Sequence, residues 1–258
     1  MKVVIIPRYE YLREWIEDIP LSFEEGGEIL HKARNIIKVF SLDNGLTVNV
    51  KKFHKPNIFN RIIYTFFRKS KAFRSYYHSL RIFEKGFHAA EAIAFIEINE
   101  GGLLSGSYYI SLQCPGVREI REYYSGPLAG NEALIDAFAR YSAALHDAGI
   151  YHLDYSPGNI LIRDGLASGE YSFILVDVNR MKFMSVGTEK GCRNFARLFG
   201  NDDIYKRIGA VYSQSRKDVF SKEKAVRLIL KYKNRFLRKK AQKEKLKRFF
   251  KDPAGFFC

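Results

Sequence analysis

Residues 152–159, with the sequence H-L-D-Y-S-P-G-N, constrain this chain more than any other feature. An apolar run, residues 173–176, follows them and ends in a second aspartate, Asp177, eighteen residues after Asn159. The spacing H-x-D-x-x-x-x-N, then a strand and an aspartate, is the kinase arrangement that orients an acceptor hydroxyl and binds magnesium on ATP. It predicts Asp154 as the catalytic base, and Asn159 and Asp177 as magnesium ligands.

The residues around this string predict the expected elements in the expected order. Residues 131–148 have the apolar spacing of a helix, with Asn131 able to cap its start and Gly149 suited to a left-handed stop. Residues 160–162 and 173–176 indicate two short strands of a hairpin that can bring Asn159 and Asp177 together. This order disfavours the alternative that the polar residues of the string are chance loop residues.

The first quarter of the chain predicts a β-rich lobe. Three strands are indicated at residues 28–31, 36–42 and 46–53, and Asp43-Asn44-Gly45 is a strong hairpin signal between the last two. A lysine near the end of such a strand pairs with nucleotide phosphates in kinases. Lys51 directly follows the V-x-V pattern and is the preferred residue, with Lys52 as the alternative.

A glycine-rich phosphate loop is missing between the first two predicted strands, where K-A-R-N stands at residues 32–35. Side chains would therefore approach a phosphate there in place of bare backbone amides. Lys32 and Arg34 are the candidates for supplying positive charge to a bound nucleotide.

The composition is strongly basic, with 43 Lys and Arg against 28 Asp and Glu, a formal excess of 15. Such an excess indicates anionic partners, either phosphorylated lipid, a membrane surface or nucleic acid. Three scattered cysteines without C-x-x-C spacing disfavour a zinc site or a disulfide framework and fit a reducing cytosol. The apolar run before Pro7 is too short for a signal peptide, and no window is apolar enough to span a membrane. We therefore expect any membrane contact to be peripheral.

Residues 51–74 form one basic segment, with eight Lys or Arg and no acid, interleaved with apolar residues. The helical spacing of the apolar residues favours ordinary core packing beneath a solvated basic face. The alternative is that the basic edge meets an anionic glycolipid or the bilayer that carries it.

Residues 231–251 form a second basic segment, with eleven Lys or Arg and one acid, Glu244. Ser221 is predicted to cap this helix, and Phe249, Phe250, Phe256 and Phe257 put aromatic residues among or beyond the cations. A basic amphipathic helix of this kind can lie on an anionic membrane, and a solvated charged helix is the alternative. Nucleic acid is disfavoured because the chain has no recognition motif.

Together these stretches resemble the bacterial lipopolysaccharide kinases that phosphorylate Kdo or heptose of the inner core, a branch of the protein-kinase-like fold. The resemblance covers most of the chain, and the string at 152–159 is its most specific part. The supporting stretches are residues 32–35, 50–53, 68–72, 177–180 and 193–198. It implies Asp154 as catalytic base, Asn159 and Asp177 as magnesium ligands, Lys51 as the nucleotide lysine, and ATP and Mg²⁺ as cofactors.

The chain also departs from the kinase pattern. Tyr77 stands where such kinases place the glutamate partner of the lysine, and Glu84 and Glu91 are the other candidates. A pseudokinase that binds a membrane or a partner is therefore an alternative, as is a protein or small-molecule kinase. The short stretch from Asp177 to Arg193 leaves little room for a peptide-docking segment and favours a small or carbohydrate acceptor.

The predicted fold is α+β and two-lobed, with a small antiparallel β-rich N-terminal lobe and a mainly helical C-terminal lobe. We place the lobes at residues 1–112 and 113–230, with a hinge at 113–116 and a basic helical tail at 231–258. The expected reaction is transfer of the γ-phosphate of ATP to a sugar hydroxyl of an anionic glycolipid. The expected location is cytoplasmic, peripheral on the cytosolic face of the inner membrane.

Overall fold

A computed structural model describes residues 1–124, 127–165, 170–198 and 200–251. The chain divides into two compact units. The first comprises Met1–Val117 and Ile174–Met181, and the second comprises Arg118–Phe173 together with the described residues from Lys182 onward. The lobe boundaries derived from the sequence, at residues 112 and 230, stay a prediction.

The first unit is built on a six-stranded antiparallel sheet, whose strands follow the spatial order β1-β6-β7-β4-β3-β2. Its elements in chain order are β1 Lys2–Ile5, α1 Arg13–Ser22, β2 Glu28–Lys32, β3 Ile36–Ser41, β4 Thr47–Phe53, α2 Ile58–Ile62, a π-helical turn at Ile63–Phe67, α3 Lys71–Glu84, β5 His88–Ala89, β6 Ala92–Glu100 and β7 Leu103–Leu112.

Strands β2 to β4 lie close to their predicted positions. The β3–β4 turn has Gly45 at φ 80°, and the backbone N–H of Leu46 donates to Asn44 Oδ1 at 3.0 Å. Val48 and Val50 are fully buried in a cluster that includes residues of α1. Because side chains alternate along a strand, Lys51 points to the face opposite that of Val48 and Val50.

Strand β1 is an element that the sequence analysis did not predict. It pairs antiparallel with β6, so that Val4 lies opposite Phe95. A run of four residues is too short to show the alternation of apolar and polar residues that predicts a strand. Residues 2–5 form an edge strand because they pair with the longer strand β6.

The second unit is mainly helical, which gives the α+β composition predicted from the sequence. Its elements are β8 Arg118–Glu119, α4 Arg121–Tyr124, α5 Glu132–Asp147, β9 Ile150–His152, β10 Ile160–Asp164, β11 Tyr171–Leu175, β12 Met181–Phe183, α6 Thr188–Asn194, α7 Asp202–Ser215 and α8 Lys222–Lys251. The last two residues of β11 and the first of β12 belong to the first unit. There Ile174 and Leu175 pair in parallel with β5.

Helix α5 occupies the predicted range and ends at Gly149, which has φ 74°. A Cβ atom at Gly149 would lie 3.1 Å from the Met184 carbonyl oxygen, so the position also requires a residue without a side chain. The predicted cap is wrong in one respect, because the Asn131 side chain donates to the Pro127 carbonyl at 3.2 Å and does not cap the helix.

Helix α8 begins as predicted, with Ser221 Oγ accepting from the backbone N–H of Lys224 at 3.2 Å. Ala225 and Ile229 are fully buried, while residues 237–247 are exposed. Phe256 and Phe257 lie outside the described residues, and at Phe249 and Phe250 the structure describes the helical backbone alone. Within the described ranges, we find no helix with the length and apolarity needed to cross a bilayer.

Candidate active site

Lys51 and Asp177 form an ion pair within the first unit, although 126 residues separate them in sequence. Lys51 lies on β4, and Asp177 lies two residues after Leu175, which pairs with β5. The two residues chosen from different motifs, as nucleotide lysine and magnesium ligand, are thus brought together by the fold.

Lys52 lies in a different environment. Its ammonium group pairs with Glu24 at 2.5 Å and lies over the rings of Phe23 and Tyr108. Of the two adjacent lysines, Lys51 is therefore the one beside Asp177.

The backbone at Asp177 is left-handed, with φ 53°, and Asp177 is the one non-glycine residue with positive φ among those described. Aspartate tolerates this conformation better than most residues, since its short polar side chain can bond locally. Its Oδ1 accepts a hydrogen bond from Asn179 Nδ2 at 2.6 Å. The carboxylate is thus oriented by both its backbone and its neighbours.

Helix α3 contacts the residues after Asp177 through their main chain. Arg74 Nη1 donates to the Asn179 carbonyl at 2.9 Å, and His78 Nδ1 lies 2.7 Å from the Val178 carbonyl. Because a carbonyl oxygen can only accept, His78 carries its proton on Nδ1. Burial lowers the pKa of His78, which favours its neutral form.

The glutamates considered as partners for Lys51 lie elsewhere. Glu91 accepts from Tyr9 and pairs with Arg8 at 2.6 Å, and Glu84 is exposed near the end of α3. Tyr77 packs against Phe73 with the ring centroids 4.3 Å apart. The carboxylate that meets Lys51 is that of Asp177.

A small cavity of about 160 Å³ in the first unit has cations in its lining, among them Arg34 and Lys71. Burial lowers the pKa of Lys71, and the charges of Arg34 and Arg74 lower it further. Such crowding of cations favours a bound anion. Lys32, the other cation proposed for this region, is exposed on β2 and does not line the cavity. Lys71 belongs to the supporting stretch 68–72 but was not singled out as a functional residue, because a lysine at a helix start is common.

Asp154 lies in the second unit, on the loop after β9. Its backbone N–H donates to His152 Nδ1 at 3.0 Å, and its carboxylate accepts from Arg197 Nη1. Arg197 was not singled out as a functional residue, although it belongs to the supporting stretch 193–198. Its guanidinium hydrogen-bonds to the Asp154 carboxylate and orients it.

Asn159 closes the same loop. Its Nδ2 donates to the Asp154 carbonyl at 2.9 Å and to Ser156 Oγ at 3.2 Å. Because Nδ2 makes both bonds, Oδ1 is the atom of this side chain that can bind a cation.

A chain of buried polar groups holds the loop from beneath. Asn194 Nδ2 donates to the His152 carbonyl at 2.9 Å, and Asn194 Oδ1 lies 2.9 Å from His146 Nε2. His146 Nδ1 lies 2.8 Å from the Tyr212 hydroxyl, which accepts from Arg216 at 3.2 Å. Asn194 Oδ1 can only accept, so His146 carries its proton on Nε2. Burial lowers the pKa of His146 to about 4, so it is neutral at ordinary pH.

The donor set fits magnesium bound together with a nucleotide. Among the described residues, no cluster of three or more His, Cys, Asp or Glu could hold a metal ion alone. Magnesium prefers carboxylate, amide and phosphate oxygens and keeps several waters, and Asp177 in the first unit and Asn159 in the second each offer an oxygen of this kind.

A known protein family matches most of this chain. The model of the lipopolysaccharide kinase (Kdo/WaaP) family matches residues 36–218. A search of curated protein sequences found no match.

Among solved structures, WaaP in complex with acyl carrier protein is similar, with a TM-score of 0.63 and 15% identity, covering 92% of this chain and 99% of that one. A Rio2 kinase complex with ADP/Mg²⁺ and phosphoaspartate from Chaetomium thermophilum has a TM-score of 0.45 and 17% identity, covering 88% of this chain and 68% of that one. The likeness to WaaP confirms the protein-kinase-like fold. The family match extends over more than half of the sequence and includes Lys51, Asp154, Asn159 and Asp177. The chain therefore belongs to the lipopolysaccharide kinase (Kdo/WaaP) family.

Proposed function

We propose that this protein transfers the γ-phosphate of ATP to a hydroxyl of Kdo or heptose in the inner core of lipopolysaccharide. The Lys51–Asp177 ion pair is the observation that carries the proposal, because it joins a strand lysine to the aspartate of a second motif. Kinases need both groups at the phosphates of ATP. The family match supports lipopolysaccharide as the acceptor class.

Asp154 is the proposed base. Arg197 holds the Asp154 carboxylate, while the Asp154 backbone N–H donates to His152 and its carbonyl accepts from Asn159. Asp154 orients the sugar hydroxyl for in-line attack and accepts its proton late, since a sugar hydroxyl is too weak an acid to ionise beforehand. Positioning then supplies a large part of the acceleration.

Lys51 is the proposed partner of the nucleotide phosphates, and Asn159 and Asp177 are the proposed magnesium ligands. Bound magnesium neutralises charge on the phosphates during transfer. Arg34 and Lys71, which line the small cavity, are proposed to add positive charge for the nucleotide, with Lys32 as a more distant contributor.

The segment after Asp177 supports a small acceptor. Only residues 178–187 separate Asp177 from helix α6, and they hold a short helical turn and strand β12. A peptide substrate needs a longer docking segment, whereas a sugar hydroxyl needs only access to Asp154.

The proposed location is the cytosolic face of the inner membrane. The exposed part of α8 carries most of the cations of residues 231–251, and anionic lipid attracts each such cation by about 1 kcal/mol. A lipopolysaccharide precursor would be presented to the enzyme from that surface.

The reaction can be tested directly with purified protein, radiolabelled ATP and two acceptors, intact and deacylated lipopolysaccharide precursor. We expect label in the sugar of both acceptors and ADP release that depends on the acceptor. Magnesium-dependent ATP binding without turnover would identify a pseudokinase. Turnover with a protein acceptor and none with the glycolipid would contradict the proposed substrate.

A further inference from the structure

Ten residues of the first unit carry an unusual exposed apolar surface. Helix α2 and the π-helical turn that follows place large apolar side chains in two rows spaced by four residues, so that all six lie on one side. Their side chains are between 39% and 81% exposed, and they are Ile58, Ile62 and Phe66 in one row and Phe59, Ile63 and Phe67 in the other. We call these six residues the apolar ridge.

The side of this segment that faces the protein is polar. Arg61 donates to the carbonyls of Leu104 at 3.1 Å and Glu100 at 2.9 Å. Thr65 Oγ1 accepts from the backbone N–H of Leu104 at 3.0 Å. The usual arrangement of a surface helix is therefore reversed, with hydrogen-bonding groups turned inward and the apolar face turned outward. Core packing, the interpretation favoured from the sequence, is wrong for the apolar ridge.

The hydrogen bonds of Arg61 and Thr65 hold the segment so that the apolar ridge faces outward. The segment is also capped at its start, where Asn57 Oδ1 accepts from the backbone N–H of Asn60 at 3.0 Å. To bury the ridge against the protein, the chain would have to break the bonds of Arg61 and Thr65 and leave their polar groups without those partners, which is costly. A contiguous exposed apolar patch of this kind marks an interaction site.

The charges around the ridge indicate what covers it. Exposed Arg68 and Lys69 directly follow Phe67, and exposed Lys55 precedes the segment and pairs with Glu100 at 3.0 Å. Residues 51–74 themselves contain no acid. Aromatic and aliphatic side chains flanked by cations match the acyl boundary and the negative headgroups of an anionic bilayer.

We propose that the apolar ridge inserts into the surface of an anionic lipid bilayer and anchors the protein there. Basic residues at 55, 68 and 69 would contact headgroups while Phe59, Phe66 and Phe67 enter the acyl boundary. The ridge has six exposed large apolar side chains, whereas the described side chains of α8 beyond Phe236 include two, Leu237 and Leu246. This inference deepens the proposed membrane location, but it does not depend on the phosphotransfer reaction.

A vesicle assay without ATP or acceptor tests the ridge separately from the enzymatic function. The full chain is mixed with vesicles of phosphatidylethanolamine and phosphatidylglycerol, and bound protein is measured by sedimentation at low and high salt. The test variant is Phe59→Ser with Phe67→Ser. The matched control is Leu21→Ser with Leu30→Ser, two apolar residues that are also exposed in the first unit.

We expect the Phe59/Phe67 variant to bind vesicles on the order of tenfold more weakly, with the larger loss in high salt, where attraction between charges is screened. Its thermal unfolding midpoint should not fall, since both rings are exposed. The control pair should bind as the unchanged protein does. Equal vesicle binding by the test variant would overturn the proposal. So would a loss of binding to acyl carrier protein with vesicle binding intact, because the ridge would then be a protein-docking surface.

A second measurement places the ridge at a depth in the bilayer. With Trp15→Phe removing the single natural tryptophan, Phe67→Trp gives a reporter on the ridge. Insertion predicts a blue-shifted emission with vesicles and quenching by lipids brominated on their acyl chains. Vesicle binding without either change would show that the ridge stays in water.

Discussion

Arg197 donates a hydrogen bond to the carboxylate of Asp154, and its guanidinium also lies 5.4 Å from the centre of the Phe236 ring on helix α8. One arginine thus contacts both the proposed base and the helix that carries the basic tail. Phe236 lies in the first part of α8, before the exposed residues 237–247. This first part of the helix therefore supports the catalytic loop through Arg197.

Replacement of Asp154 by asparagine should separate chemistry from binding. Asn keeps an oxygen that can accept from Arg197 but cannot take a proton, so turnover should fall on the order of 100-fold or more while ATP affinity changes little. Single-turnover kinetics and ATP titration measure the two quantities. Asp164→Asn, an exposed carboxylate of the same unit, serves as control. Parallel loss of affinity and turnover would mean that Asp154 is structural.

The adjacent lysines of β4 provide a matched comparison. Lys51→Met should weaken ATP binding and reduce kcat/KM on the order of 100-fold, because Lys51 is the residue paired with Asp177. Lys52→Met should have little effect, because the Lys52 side chain points to the face of β4 opposite that of Lys51 and pairs with Glu24. Equal effects of the two changes, measured by ATP titration and steady-state kinetics, would remove Lys51 from the proposed site.

Asp177→Ala should abolish the magnesium-dependent part of ATP binding, because this carboxylate is a large share of the few ligands that the protein offers. The measurement is the rise in thermal unfolding midpoint on adding ATP, with and without MgCl₂. ATP alone should still give a small rise. An unchanged magnesium effect in the variant would exclude Asp177 as a ligand.

Buried His146 should make the protein sensitive to mild acid. Its pKa is lowered to about 4, so the unfolded chain, where a histidine has a pKa of about 6.5, binds more protons between these values. The free energy of unfolding is therefore unaffected by His146 above pH 6.5. It falls by roughly 3 kcal/mol in all as the pH drops toward 4. Urea unfolding at pH 7 and pH 4.5 should show a smaller loss for His146→Gln than for the unchanged protein. Exposed His31→Gln should leave the loss as it is.

The tail can be shortened without disturbing the catalytic loop only if Phe236 is kept. The buried ammonium group of Lys233 also pairs with Asp202, so a chain ending at Leu230 would lose two internal contacts. Truncation after Leu237 removes eight Lys or Arg of the basic tail. We expect weaker vesicle binding at low salt with activity on a soluble deacylated acceptor retained. Unchanged low-salt binding would assign the attraction to other cations.

The sequence predicted the parts of the molecule that local pattern controls. Helix α5 and its stop at Gly149, the Asp43–Gly45 turn and the Ser221 cap each depend on a few neighbouring residues. The contacts of Arg197 and Lys71 could not be predicted, because they depend on distant segments meeting in space.

The apolar ridge shows a different limit of sequence reasoning. A spacing of four residues reveals that one side of a helix is apolar, but it does not reveal whether that side faces the core or the solvent. The side that faces the protein is determined by Arg61 and Thr65, which bond to the main chain of Leu104, about forty residues away in sequence.

The attachment of α3 to the segment after Asp177 has a consequence for how the site can vary. Arg74 and His78 bond to carbonyl oxygens, which every amino acid provides. The side chains of residues 178 and 179 can therefore change without removing these two acceptors, while a change at Arg74 or His78 removes a donor. A kinase that links its helix to this segment through the main chain leaves the Asn179 side chain available for its own hydrogen bond to Asp177.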